Sequence, residues 1–127
     1  VINEDGSYEA AELVAQNDLI APDILWIECA SALYSQVRRR NIAANEAKSA
    51  FADLLCVPVV TVPVSDLVDD AFNLMLDLGH PIYDCLYLAL SIQRGIPLLT
   101  ADRRLASAAA NHPLLSGLTK LFPPETR

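Results

Sequence analysis

The chain has 127 residues, 53% of them hydrophobic, and a formal net charge of −7. That length suits a single domain able to bury a sizeable core, and the composition argues against disorder. The acidic balance excludes a protein that simply coats nucleic acid, since phosphate neutralisation needs the opposite sign.

The N-terminal "VINEDG" has neither the basic region nor the apolar core of a signal peptide, and it lacks an initiator Met, so the chain is read as a fragment or a processed product. "DGSYEAAELVAQ" predicts a first helix capped by Asp5 or Ser7, and "LIAP" a short buried strand closed by Pro22. Asp23 is expected to cap a long helix, "ILWIECASALYSQVRRR", whose terminal arginines suit the negative end of the helix dipole. Asn41 or Asn45 leads into "EAKSAFADLLC", and "PVVTVPV" is the clearest strand, β-branched and bounded by prolines. It is also the heart of the richest apolar window, which is too short to cross a membrane.

Ser65 or Asp66 is the expected cap of "LVDDAFNLMLDL", which Gly79 ends. Pro81 opens "PIYDCLYLAL", a helix buried on nearly every side that runs to about Arg94 and stops at Gly95. "IPLLTA" is a fully buried strand, "DRRLASAAAN" a helix, and "GLTKLF" an edge strand. Alternating helices and short apolar strands give an α/β fold with a parallel sheet covered on both faces. Cys29, Cys56 and Cys85 are an odd count without close spacing, read as reduced, buried thiols of a cytoplasmic protein.

Asp84 is a carboxylate in the first turn of a helix expected to be buried. From Asp84 to Gly95 that helix descends roughly 16 Å, and from Ile96 to Asp102 the strand climbs back roughly 20 Å. The lengths nearly cancel, which puts Asp84 and Asp102 at the edge outside the strand's carboxyl end, where open parallel sheets bind ligands. Glu28 repeats the arrangement after the strand around 19–21, with Ile24, Ser31 and Ala32 as helical neighbours and no cation among them. Taken singly, Asp84 complements a helix dipole, Asp102 caps a helix and Glu28 is a solvated residue. Together on one edge, part-buried acids repel, and a divalent cation such as Mg²⁺ or Mn²⁺ resolves the conflict.

"IYDCLYLALS" followed by "PLLTADRRL" resembles the C-terminal signature of PIN domains, and "APDILWIECASAL" is similar to the segment that supplies the family's second acid. The nearest group is the VapC-type ribonuclease toxins of toxin–antitoxin pairs. The resemblance implies a three-layer sandwich around a central parallel sheet over residues 1–127, and a metal-dependent endoribonuclease leaving a 5′-phosphate and a 3′-hydroxyl. Glu28, Asp84 and Asp102 match three of the family's four acids, and Thr100 a hydroxyl position beside the last. Family members begin with a strand ending in Asp, and this chain starts just after that point. Glu4 and Asp5 lie too late to replace it, so the domain is expected to lack its first strand. A catalytically impaired PIN-like binding module is the alternative for that reason.

The resemblance further implies an RNA substrate, a cognate VapB-like antitoxin and a homodimer. Arg103 and Arg104 are candidates for substrate phosphates or a solvated helix face. Arg38, Arg39 and Arg40 are as ambiguous as that pair, since helix C-termini collect cations anyway. Leu33, Tyr34, Val37, Phe51, Leu54 and Leu55 are either core or the groove for an antitoxin peptide. His80 and His112, beside prolines, are given no role.

Overall fold

The computed structural model describes residues 19–100, 103–115, 117 and 119–121. The expected helix over 5–16, with Glu4 and Asp5, lies outside the described residues, as does Asp102. The remainder is α/β with parallel strand pairing, as expected, and falls into two compact units that divide at Val62 and Pro63.

The first unit begins with β1 (Leu19–Pro22), followed by α1 (Leu25–Arg38), α2 (Ala44–Leu55) and β2 (Val59–Val62). β1 and β2 pair in parallel from Leu19 opposite Val59 to Pro22 opposite Val62. Asp23 N–H extends the ladder by donating to Val62 O at 2.9 Å. Because parallel neighbours need a crossover, the two helices carry the chain back to the start of the sheet. Ala21, Pro22 and Val62 are buried, whereas α1 and α2 contain no buried residue. Val60 is 64% exposed, so β2 is not covered on both faces as its sequence suggests.

Two of the expected caps fall elsewhere. α1 starts at Leu25 with Ile24, not Asp23, in the N-cap position. α2 is capped at Ala43, where the Glu46 carboxylate accepts the Ala43 N–H at 2.9 Å, the reaching-back half of a capping box.

The second unit holds a 3₁₀ turn (Val64–Asp66), α3 (Val68–Leu78), α4 (Ile82–Arg94), β3 (Leu98–Thr100), α5 (Arg103–Ala110) and β4 (Thr119–Leu121). Leu67, not Ser65 or Asp66, stands at the N-cap of α3, and it is fully buried, so packing sets that boundary. α3 ends at Gly79 and α4 at Gly95, both left-handed with φ of 70° and 63°, a conformation that costs an L side chain about 1–2 kcal/mol.

α3 and α4 pack against each other, and their buried residues are Ala71 and Leu74 in α3 and Cys85, Leu86, Leu88, Ala89, Leu90 and Ser91 in α4. Gln93 Nε2 ties the end of α4 to the start of α3, donating to Asp66 O and Asp70 Oδ2. β3 and β4 pair in parallel, Leu98 opposite Thr119, with α5 between them in sequence. The edge strand expected in "GLTKLF" is thus present. His112 has a structural role: its Nδ1 accepts the Leu114 N–H, which leaves Nε2 as the donor facing Asp77 Oδ2 at 3.4 Å.

Candidate active site

Each described acid of the expected site sits in the first turn of a helix that follows a fixed boundary. Glu28 is in the first turn of α1, half-buried, immediately after β1 and the turn that leaves it. Asp84 is in the first turn of α4, just after Pro81, whose φ of −57° is pre-set for a helix start. Asp84 is 36% exposed, while Cys85, its sequence neighbour, is fully buried. The helix therefore turns its apolar face inward from the residue after the acid and leaves the carboxylate reachable.

Glu28 and Asp84 belong to different units. Thr100 is the last residue of β3. Asp102, between Thr100 and the first residue of α5, lies outside the described residues. Among the described residues, no group of three His, Cys, Asp or Glu side chains gathers around a common point. Arg103 and Arg104 open α5 and are exposed.

The side chains around the acids define the available donors. The Cys85 thiol is pushed up from 9.0 to about 11, first by burial and then by the Asp84 charge. Burial, and secondarily Glu28, raises the Cys29 thiol above its ordinary value as well. Both thiols stay protonated at neutral pH and offer no thiolate. What remains is carboxylate oxygen, a donor set that fits Mg²⁺ or Mn²⁺ and does not fit a thiolate-seeking ion.

Sequence reasoning passed over His80. Its Nδ1 lies 3.9 Å from Asp84 Oδ2, beyond hydrogen-bond length, and its ring is 12% exposed. The Cys85 Sγ approaches His80 O at 3.7 Å. The signal was the four-residue spacing of His80 and Asp84 across Pro81, which brings the two side chains to one side of the helix start.

The raised thiols give a testable order of reactivity. A disulfide reagent should modify Cys56, the exposed cysteine, first, and Cys85 only as the protein unfolds. The neutral Cys85 thiol is favoured in the fold, so its share of stability is fully present below pH 9 and lost as pH rises toward about 11. Urea midpoints at about pH 8 and about pH 10.5 should fall further for wild type than for Cys85→Ala, and equal slopes would contradict the assignment.

A family model for the PIN domain matches residues 1–111 of the chain. The chain belongs to the PIN domain family.

The matched span of this PIN domain takes in Glu28, Asp84, Thr100 and Asp102 and ends before β4. The chain is 32% identical over 108 residues to a protein named Ribonuclease VapC3 from Pyrobaculum aerophilum, covering 83% of this chain and 82% of that protein. It is 31% identical over 88 residues to proteins named Ribonuclease VapC12 in two strains of Mycobacterium tuberculosis, covering 69% of this chain and 67% of those. Among the described residues of this PIN domain, no helix is long and apolar enough to cross a membrane.

Proposed function

We propose that this PIN domain is a metal-dependent endoribonuclease of the VapC type, a toxin silenced by a cognate antitoxin. The observation that carries the reading is the similarity to a protein named as a ribonuclease across 83% of this chain. The donor set supports it: half-buried carboxylates on helix starts, beside thiols held neutral.

Glu28, Asp84 and Asp102 would hold one or two Mg²⁺ or Mn²⁺ ions. When bound, such ions activate water toward phosphorus and neutralise charge on the phosphate and the leaving oxygen. The chain's own residues do the rest. Asp84 orients its carboxylate from a helix turn locked by Pro81 and by the buried Cys85. Thr100, two residues before Asp102, is assigned to the reacting phosphate or its water, and Arg103 and Arg104 to flanking phosphates. Hydrolysis by in-line attack leaves a 5′-phosphate and a 3′-hydroxyl.

The partners follow from the same likeness. Tyr34 and Leu55 are 63% and 51% exposed on α1 and α2, apolar surface suited to an antitoxin peptide. A homodimer acting in the cytoplasm completes the proposal, with the chain serving as one PIN domain.

Metal removal tests it. The purified protein should cleave single-stranded RNA in Mg²⁺ or Mn²⁺, lose cleavage in excess EDTA, and regain it when either ion is restored. Cleavage that persists after chelation would overturn the metal assignment. RNA binding with no cleavage in either ion would leave a binding module instead.

A further inference from the structure

Three of the chain's nine cationic side chains are consecutive, Arg38, Arg39 and Arg40, in a protein of net charge −7. They close α1. Arg40 N–H donates to Val37 O and Asn41 N–H to Gln36 O, both at 3.0 Å, the paired bonds of a Schellman motif with Arg39 at the C-cap. The motif places Arg40 in the left-handed region, with φ of 59°, and it is the described non-glycine residue in that conformation.

Helix-dipole complementation accounts for a cation in the last turn of α1. It does not account for Arg40, which lies past the cap at the position where Gly or Asn closes the same motif with less strain. α3 and α4 both end in glycine at their left-handed residue. A strained residue kept where a relaxed one would serve points to use of its side chain. All three arginines are exposed, and among the described residues none forms an ion pair. The Arg38 guanidinium lies 5.9 Å from the centroid of the exposed Tyr34 ring, which braces it.

We infer that Arg38, Arg39 and Arg40 form a phosphate-binding platform for the RNA strand, remote from the cleaved bond. The inference rests on the ribonuclease reading and extends it to the path of the substrate. Arg38 lies about 15 Å along α1 from Glu28. At about 3.4 Å per phosphate along a stacked strand, that distance spans roughly four or five nucleotides. Guanidinium groups suit this role because they meet phosphate oxygens through paired N–H donors.

The test is the salt dependence of binding to a fluorescein-labelled single-stranded RNA of about a dozen mixed nucleotides, followed by anisotropy. The Arg38→Ala/Arg39→Ala/Arg40→Gly variant should lose about 2 from the magnitude of the slope of log K against log salt, and bind on the order of 100-fold more weakly at about 0.1 M salt. Arg40→Gly alone should melt at or above the wild-type temperature while binding RNA more weakly, which separates the platform from a structural role. Arg94→Ala, at the end of α4, should leave the slope unchanged. An unchanged slope in the triple variant, an equal loss in Arg94→Ala, or binding of polyglutamate without RNA binding would overturn the inference. Cleavage with an unchanged slope removes this platform and leaves the ribonuclease reading. RNA binding that follows the expected slopes without cleavage does the reverse.

Discussion

Asp84→Asn is expected to reduce metal-dependent RNA cleavage by more than about 100-fold, exceeding the usual 10–100-fold effect of removing a residue that only supports a metal ligand. The substitution keeps the size of the side chain and removes its charge. It should not unfold the protein, because Asp84 is 36% exposed and its favourable interaction with the start of α4 is worth only about 0.3–1 kcal/mol. Circular dichroism and the urea midpoint should stay close to wild type while the rate collapses. Under the proposed site Glu28→Gln and Asp102→Asn should behave alike, since an ion shared by the three acids would be lost with any one of them. Asp69→Asn, in the first turn of α3, is the matched control: it also removes a carboxylate from a helix start and should leave the rate unchanged. Wild-type cleavage by Asp84→Asn would remove Asp84 from the site.

Leu88→Ala should cost about 2–5 kcal/mol of folding stability, the range for deleting a large buried aliphatic side chain. Leu88 is fully buried in α4, with Leu86, Ala89 and Leu90 buried around it in the sequence, so the space it leaves has little means of collapse. Against a typical total of about 5–15 kcal/mol, the loss is large enough to unfold part of the population at physiological temperature. Leu76→Ala offers the contrast. Leu76 lies on α3 at 67% exposure and should change stability by no more than about 0.5 kcal/mol. Urea titrations with equal m-values would compare the two directly. Similar midpoint shifts would mean that the inward face of the α3–α4 pair has been misassigned.

The contrast between these leucines also shows what a sequence makes legible. The helix from Ile82 to Arg94 could be read directly, because Pro81, Gly95 and an unbroken apolar run agree on its limits and its burial. The strands Val59–Val62 and Thr119–Leu121 also lie where β-branched and turn residues place them. Helix starts were less legible. Asp23, Ser65 and Asp66 have good capping chemistry, yet the chain enters its helices through Ile24 and Leu67, and at the fully buried Leu67 removing a large side chain from water outweighs one capping bond. Covering of β2 on both faces was inferred from the alternation of helices with short apolar strands, and the exposed Val60 departs from it.

At the site, the first-turn positions of Glu28 and Asp84 follow from local pattern. The proposed meeting with Asp102 would depend on how distant segments register, which local pattern does not encode. The His80 contact was missed because proline neighbours suggested a loop, although the ring lies against the turn that presents Asp84. The left-handed Arg40 was missed too. "RRRN" carries no glycine to announce the turn.

The helices of the unit from Leu19 to Val62 hold no buried residue, while the other unit encloses most of the described core. Segments with little burial open at low free-energy cost, well before a domain unfolds as a whole. Glu28 therefore stands on helices expected to pass from a closed to a locally open form at lower cost than the buried α4. Any ligand that binds only the closed form adds stability by mass action, about 2.7 kcal/mol at a hundredfold excess over its Kd. A ligand held near Glu28 would then be expected to lengthen the folded lifetime of α1 and α2, read as slower proteolysis of the protein.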